Sequence, residues 1–200
     1  MFKLNLFPWR RGVRCAMTSM GGVGSTALGR HINSFADKTE FEHGFSPSVY
    51  EGQNPVMLGY MYGNPYNSIL SIFRRKYQQM HVEAMHINSG TQPAKLKGVS
   101  LEEYLSHGID EFFLERQFDN WTNQDNVKVP TILIKYEELE DNIDTILDFF
   151  QCKKPFAVKM RKSAWEEQPQ EIQDGLVDIY GGFKEKVDAM PGVKILYPST

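Results

Sequence analysis

An α/β fold, with a central parallel sheet between two layers of helices, is what this sequence predicts, and three observations predict it. An apolar run ending at Ser19 turns through Gly21, Gly22 and Gly24 into an amphipathic helical pattern. Two further apolar runs, PVMLGYMYG from Pro55 and VPTILIKYEEL from Val129, each lead into helix-starting residues. The 200 residues are 41% hydrophobic and 24% charged, the balance of a globular chain able to bury a sizeable core. Strands that alternate with helices build a parallel sheet covered on both faces, a three-layer α/β/α arrangement.

The elements follow in order. Val13 to Ser19 is expected as a short buried strand, with Gly21 to Gly24 as the turn after it. Leu28, Ile32 and Phe35 then recur at i, i+4 and i+7, one face of a helix. KTEFEHGF predicts a second strand ending near His43, and PVMLGYMYG is apolar enough for a strand covered on both sides. In NPYNSILSIFRRKY, Asn64 can cap a helix, Pro65 suits its first turn, and Ile69, Ile72 and Phe73 share a face.

Residues Gln78 to Gly98 are polar and poorly periodic and predict a long loop. Ser100 and Glu103 form a capping box for a helix that turns Tyr104, Leu105, Ile109, Phe112 and Phe113 inward, and Trp121 joins the core. VPTILIKYEEL predicts the clearest strand. Asp141 or Asn142 caps the next helix, whose Ile143, Ile146, Leu147 and Phe150 share a face. Ile172, Leu176, Ile179, Phe183 and Val187 mark a long amphipathic helix, and GVKIL a last short strand. No internal repeat appears, so residues 1–200 are expected to form one domain.

Bulk properties narrow the function. A net charge of −3 supplies no global basic field for nucleic acid. The two cysteines, Cys15 and Cys152, are too few for a disulfide framework and read as buried, reduced thiols. MFKLNLFPWRRGVR lacks the apolar core and cleavage site of a signal peptide, and no apolar run reaches membrane-spanning length. A cytoplasmic protein without a membrane span is the expectation. The five histidines show no ligand spacing, so no metal is expected.

Ligands of open parallel sheets bind outside the carboxyl ends of the strands. The glycine turn, the Tyr62–Asn67 turn and the Tyr136–Glu138 turn all fall at such ends. Gly24, Ser25 and Thr26 open a helix whose N–H groups and dipole favour an anion, with two hydroxyls beside them. Gly24 stands where a nucleoside-triphosphate loop carries its phosphate-binding lysine. Ser71 and Arg74, three apart, share a helix face and can clamp a terminal phosphate; Arg75 is expected at the solvated surface.

In order and spacing these segments resemble the sulfotransferases that use 3′-phosphoadenosine-5′-phosphosulfate (PAPS). GGVGSTAL is similar to that family's Gly-Ser/Thr-Thr loop. YMYGNPYNSILSIFRR is similar to its Arg-Asn/Asp-Pro turn and following helix serine, and LIKYEEL to its Tyr-Glu-Asp-Leu, over about Val13 to Phe150. The resemblance implies a P-loop NTPase-like fold and transfer of a sulfonate from PAPS to an acceptor hydroxyl or amine on a small molecule or glycan. The product is then 3′-phosphoadenosine 5′-phosphate (PAP).

By the same resemblance Gly22, Val23, Gly24, Ser25 and Thr26 hold the 5′-phosphosulfate. Asn64, Ser71 and Arg74 serve the 3′-phosphate side, Tyr136 lies near the nucleotide, and Arg161 with Lys162 matches the family's Arg-Lys-Gly. His43 is the expected base, with Glu42 as its carboxylate substitute. Apart from the resemblance, the length of the expected Gln78–Gly98 loop, with Met80, Met85 and His86, suits a cover for the acceptor site.

Two positions depart from the family. Gly22 replaces a Lys or Arg, and Gly63 replaces an Arg. Arg30, Lys38, Arg74 and Arg161 are the cations available to compensate. A P-loop-like nucleotide kinase or hydrolase, and a non-catalytic nucleotide-binding domain, are the alternative readings.

Overall fold

One five-stranded sheet organises the chain, built from β1 (Arg14–Ser19), β2 (Thr39–Glu42), β3 (Pro55–Tyr62), β4 (Thr131–Lys135) and β5 (Val193–Leu196) in the order β2-β1-β3-β4-β5. The computed structural model describes residues 14–33, 39–53, 55–162 and 164–199. Val13, Phe35 and Lys38 lie outside the described residues. β1 to β4 run parallel, and β5 pairs antiparallel with β4.

That last pairing corrects the expectation of a wholly parallel sheet. The long helix α7 (Gln170–Asp188) ends beside the carboxyl end of β4, where Lys135 Nζ donates to the carbonyl of Met190 at 3.2 Å and the Lys135 N–H to that of Gly192 at 2.8 Å. Ala189 to Gly192 is too short a link to reach the other end of the sheet, so β5 must run back.

Side-chain alternation along β3 shows helices on both faces. Tyr60 stacks on Trp121 at 5.2 Å and Tyr62 meets Phe118 edge-on at 5.2 Å, both from α5 (Leu114–Thr122). Phe118 packs in turn on Phe183 of α7 at 5.3 Å. Gly59 faces the opposite way, and a Cβ there would lie 2.7 Å from the ring of Phe150, the C-cap of α6 (Ile143–Phe149). α1 (Ser25–Asn33) buries Leu28 and Ile32. α2 (Pro65–Arg74) is capped by Asn64, whose Oδ1 accepts the N–H of Tyr66 at 2.9 Å and of Asn67 at 3.4 Å.

Two local expectations are corrected. Residues from Gln78 are not a loop but a helix, α3 (Gln78–Ser89), which ends at Gly90 with φ 73. Its buried residues, Gln78, His81, Val82, Met85 and His86, fall at i, i+3, i+4, i+7 and i+8. The stripe mixes polar with apolar side chains and so carries little hydrophobic signal. Gln78 Nε2 donates to Val99 O at 3.3 Å, and His86 bonds to Glu111 O at 2.8 Å.

The helix after Ser100 is also shorter than its pattern suggests. α4 (Leu101–Ser106) is capped by Ser100 Oγ, which accepts the Glu103 N–H at 3.1 Å, but the chain breaks at Gly108 (φ 68). Ile109 is therefore 57% exposed, and Phe113 sits half-buried on the ring of His86 at 4.0 Å. Phe112 and Trp121 do lie in the core, and Cys15 and Cys152 are buried free thiols. Among the described residues no helix is long and apolar enough to cross a membrane.

Candidate functional site

β1 ends at Ser19, and the turn after it approaches its neighbours backbone first. Gly21, Gly22 and Gly24 have φ of 83, 71 and 70, a region in which side chains are strained. A Cβ on Gly22 would lie 2.6 Å from the Ser68 carbonyl oxygen of α2, and one on Gly24 3.1 Å from the Tyr136 ring. The position where the family resemblance calls for a cation thus has no room for any side chain. From inside, Ser25 Oγ donates to Ser19 Oγ at 2.8 Å, and the Gly21 N–H reaches the same oxygen at 3.4 Å. Thr26 is exposed at the start of α1.

His43 follows β2 on the same side of the sheet. Gly44 beside it is held on three sides: its N–H donates to Thr18 Oγ1 at 2.7 Å, and its carbonyl accepts from Gln117 Nε2 at 2.8 Å and Trp121 Nε1 at 2.9 Å. His43 Nδ1 donates to Ser19 O at 3.1 Å. A carbonyl only accepts, so Nδ1 carries the proton and Nε2 is the basic nitrogen. Burial holds the His43 pKa below its ordinary value; the Ser19 bond opposes this and the Arg75 charge adds to it.

Two adjoining cavities open at these strand ends, sharing Gly22 and Ser71. The larger is about 560 Å3. Among its lining residues are Val23, Asn64 and Arg74 on one side and Tyr136, Arg161 and Lys162 on the other. The smaller, about 90 Å3, is lined by Gly24, Ser25, Thr26 and His43 together with Arg75 and His81. Three segments far apart in sequence therefore meet at one place. Every residue expected to bind the cofactor or to act as base lines one cavity or the other, except Glu42, whose side chain lies outside the described residues. Of the expected acceptor cover, Met80 lines the smaller cavity, while Met85 and His86 are buried and line neither. Arg30 is exposed on α1 and lines neither.

The wall of the larger cavity is tied to the sheet by three acceptors. Tyr136 Oη accepts the Arg161 N–H at 2.9 Å, and Asn67 Oδ1 accepts those of Ala164 at 3.0 Å and Trp165 at 3.2 Å. Glu137 accepts the Asn64 N–H at 2.7 Å, and a Cβ on Gly63 would lie 2.9 Å from that carboxylate. At the second departure, then, the close neighbour is the Glu137 side chain rather than backbone. Lys162 pairs with Glu167 at 2.9 Å in full exposure, as surface charge does.

Two groups in this region are buried without a partner. Ser71 Oγ, in a residue 6% exposed, and His81 Nε2, in one 3% exposed, make no hydrogen bond among the described residues. Sequence reasoning missed His81 because its segment read as a loop, and placed Arg75 at the surface. Arg75 is in fact half-buried at the C-cap of α2, and its position four residues after Ser71 was the available signal.

An open, mostly parallel α/β sheet with a glycine turn and a divided cavity at its strand ends is the class of protein this arrangement defines. The chain matches no family model, no curated protein and no solved structure.

Proposed function

We propose that this protein is a PAPS-dependent sulfotransferase with a P-loop NTPase-like fold, acting on an acceptor hydroxyl or amine. One observation carries the reading. Ser71 Oγ is buried, unpartnered and common to both cavities, and buried polar atoms are almost always satisfied. A ligand that reaches from one cavity to the other would satisfy it. The larger cavity has the volume of a nucleotide-sized site. The smaller adjoins the helix N-terminus at Ser25, where an oxyanion is favoured.

The residues fit the donor. Ser71, Arg74 and Arg161 serve the 3′-phosphate, Tyr136 flanks the base, and Gly24, Ser25 and Thr26 cradle the 5′ end through N–H and hydroxyl groups. PAPS, when bound, supplies an activated sulfonate. With the donor bound, His43 Nε2 would take the acceptor's proton as the new S–O or S–N bond forms, and the loop N–H groups would stabilise the phosphate oxygen released as the old S–O bond breaks. Burial keeps the imidazole neutral near pH 7, the form a base needs. Two buried free thiols suit a reducing compartment such as the cytoplasm.

A second reading, a non-catalytic nucleotide-binding domain, is favoured by one specific feature: Gly22 and Gly63 stand where the family carries cations, Gly22 against the Ser68 backbone and Gly63 against the Glu137 carboxylate. Thermal shift with PAP, ATP and buffer separates the readings, since stabilisation follows affinity by mass action. PAP should raise Tm most. A larger rise with ATP would favour a kinase or hydrolase, and no rise with either would overturn nucleotide binding altogether.

A further inference from the structure

Arg74 and Arg161 both lie within electrostatic reach of Arg75, and burial and these two guanidiniums hold the Arg75 pKa below its ordinary value. Among the described residues none of the three has a carboxylate partner within ion-pair distance. Converging like charges without an acid destabilise a fold unless something anionic joins them. Arg75 lines the small cavity, and the buried, unpartnered Ser71 Oγ and His81 Nε2 line it too. The glycine turn closes its other side, with Gly21 so near His81 that a Cβ would lie 2.5 Å from the ring.

We propose that the small cavity is a tetrahedral-oxyanion site in which Arg75 supplies the charge and His81 Nε2 a neutral donor. Arg75 thereby takes the place of the cation that Gly22 cannot carry. The proposal rests on the reading of the glycine turn as an anion cradle and extends it to the group transferred. A sulfonate or a phosphate has the tetrahedral oxygens for these donors: loop N–H groups on one side, His81 Nε2 on another, and the Arg75 guanidinium on the third, with the Ser71 hydroxyl left to the ligand of the larger cavity. His81 is held neutral by burial and by its neighbour His43, whose ring meets it edge-on at 5.0 Å. Among the residues lining the small cavity, Arg75 is then the one that carries a positive charge.

The test is thermal shift of the whole chain, titrated separately with inorganic sulfate and inorganic phosphate at ionic strength fixed with chloride. Wild type should be stabilised by at least one of the two, and the arm that wins identifies the preferred anion. Arg75→Gln should weaken that binding at least tenfold, and Arg75→Lys should recover part of it. Lys97→Gln removes one exposed charge elsewhere and should leave the binding unchanged. Equal stabilisation of wild type and Arg75→Gln, or no stabilisation of wild type beyond chloride, would overturn the proposal. Arg75-dependent binding of sulfate or phosphate in a chain that ignores PAP would uphold it while removing the nucleotide reading.

Discussion

Replacing Gly22 by alanine puts a methyl group where the structure has none to spare. Two costs add. A φ of 71 is left-handed, which costs an L residue about 1–2 kcal/mol. The new Cβ would lie 2.6 Å from the Ser68 carbonyl oxygen, a backbone atom inside a helix that can yield only by moving α2. Overpacking of this kind costs about 1–3 kcal/mol. Together the loss should be roughly 2–5 kcal/mol, or roughly 4–20 °C in Tm for a chain of this size. Urea and thermal denaturation followed by circular dichroism read it directly. Gly90→Ala is the control, since Gly90 has φ 73 but nothing within 4 Å of its would-be Cβ and so pays only the first cost. If Gly22→Ala is no more damaging than Gly90→Ala, the turn is not packed on α2, and the reason given for the missing cation fails.

Ser71→Ala should weaken PAP binding about ten- to a hundredfold in calorimetry, the loss of one hydrogen bond to a charged group; unchanged affinity would move recognition elsewhere. His43→Ala should lower turnover by about two to four orders of magnitude with PAP affinity kept within about twofold. Near-normal turnover would remove His43 as the base. The pH profile of kcat/KM should rise through a midpoint below 6.5, because His43 must be neutral and burial lowers its pKa; a midpoint above 6.5 contradicts this. Stability should fall as pH drops below about 6.5, since the unfolded chain then protonates His81 and the folded one resists. Asp110, buried and raised to about 6, opposes that trend between about 4 and 6, because its folded state prefers the proton. His81→Gln should flatten the decline, and a decline as steep in the variant as in wild type would refute the assignment.

The parallel strands were legible because continuous apolar runs such as PVMLGYMYG have few other homes, and the glycine turn because its helix begins at once. β5 was legible as a strand but not in direction, which depends on where α7 ends rather than on the residues of GVKIL. α3 was hidden because its inward face uses Gln78 and His86, whose polar atoms count against burial until Val99 and Glu111 are there to meet them. His81 was hidden with it. Arg75 was hidden for another reason. Two adjacent arginines at a helix end read as solvated charge, and only the α2–α3 corner turns one of them inward. Gly22 and Gly63 were visible as departures, but the Ser68 backbone that excludes a side chain at Gly22, and the Glu137 carboxylate beside Gly63, come from segments remote in sequence.

Calorimetric titration with PAP and with adenosine 5′-phosphate tests the central claim most directly, because the two ligands differ only in the 3′-phosphate assigned to Ser71 and Arg74. Wild type should bind PAP at least about tenfold more tightly, the worth of one charge-assisted contact. The Ser71→Ala, Arg74→Ala double variant should bind the two alike. Equal affinity in wild type, or a preference for PAP that survives the double replacement, would contradict the account.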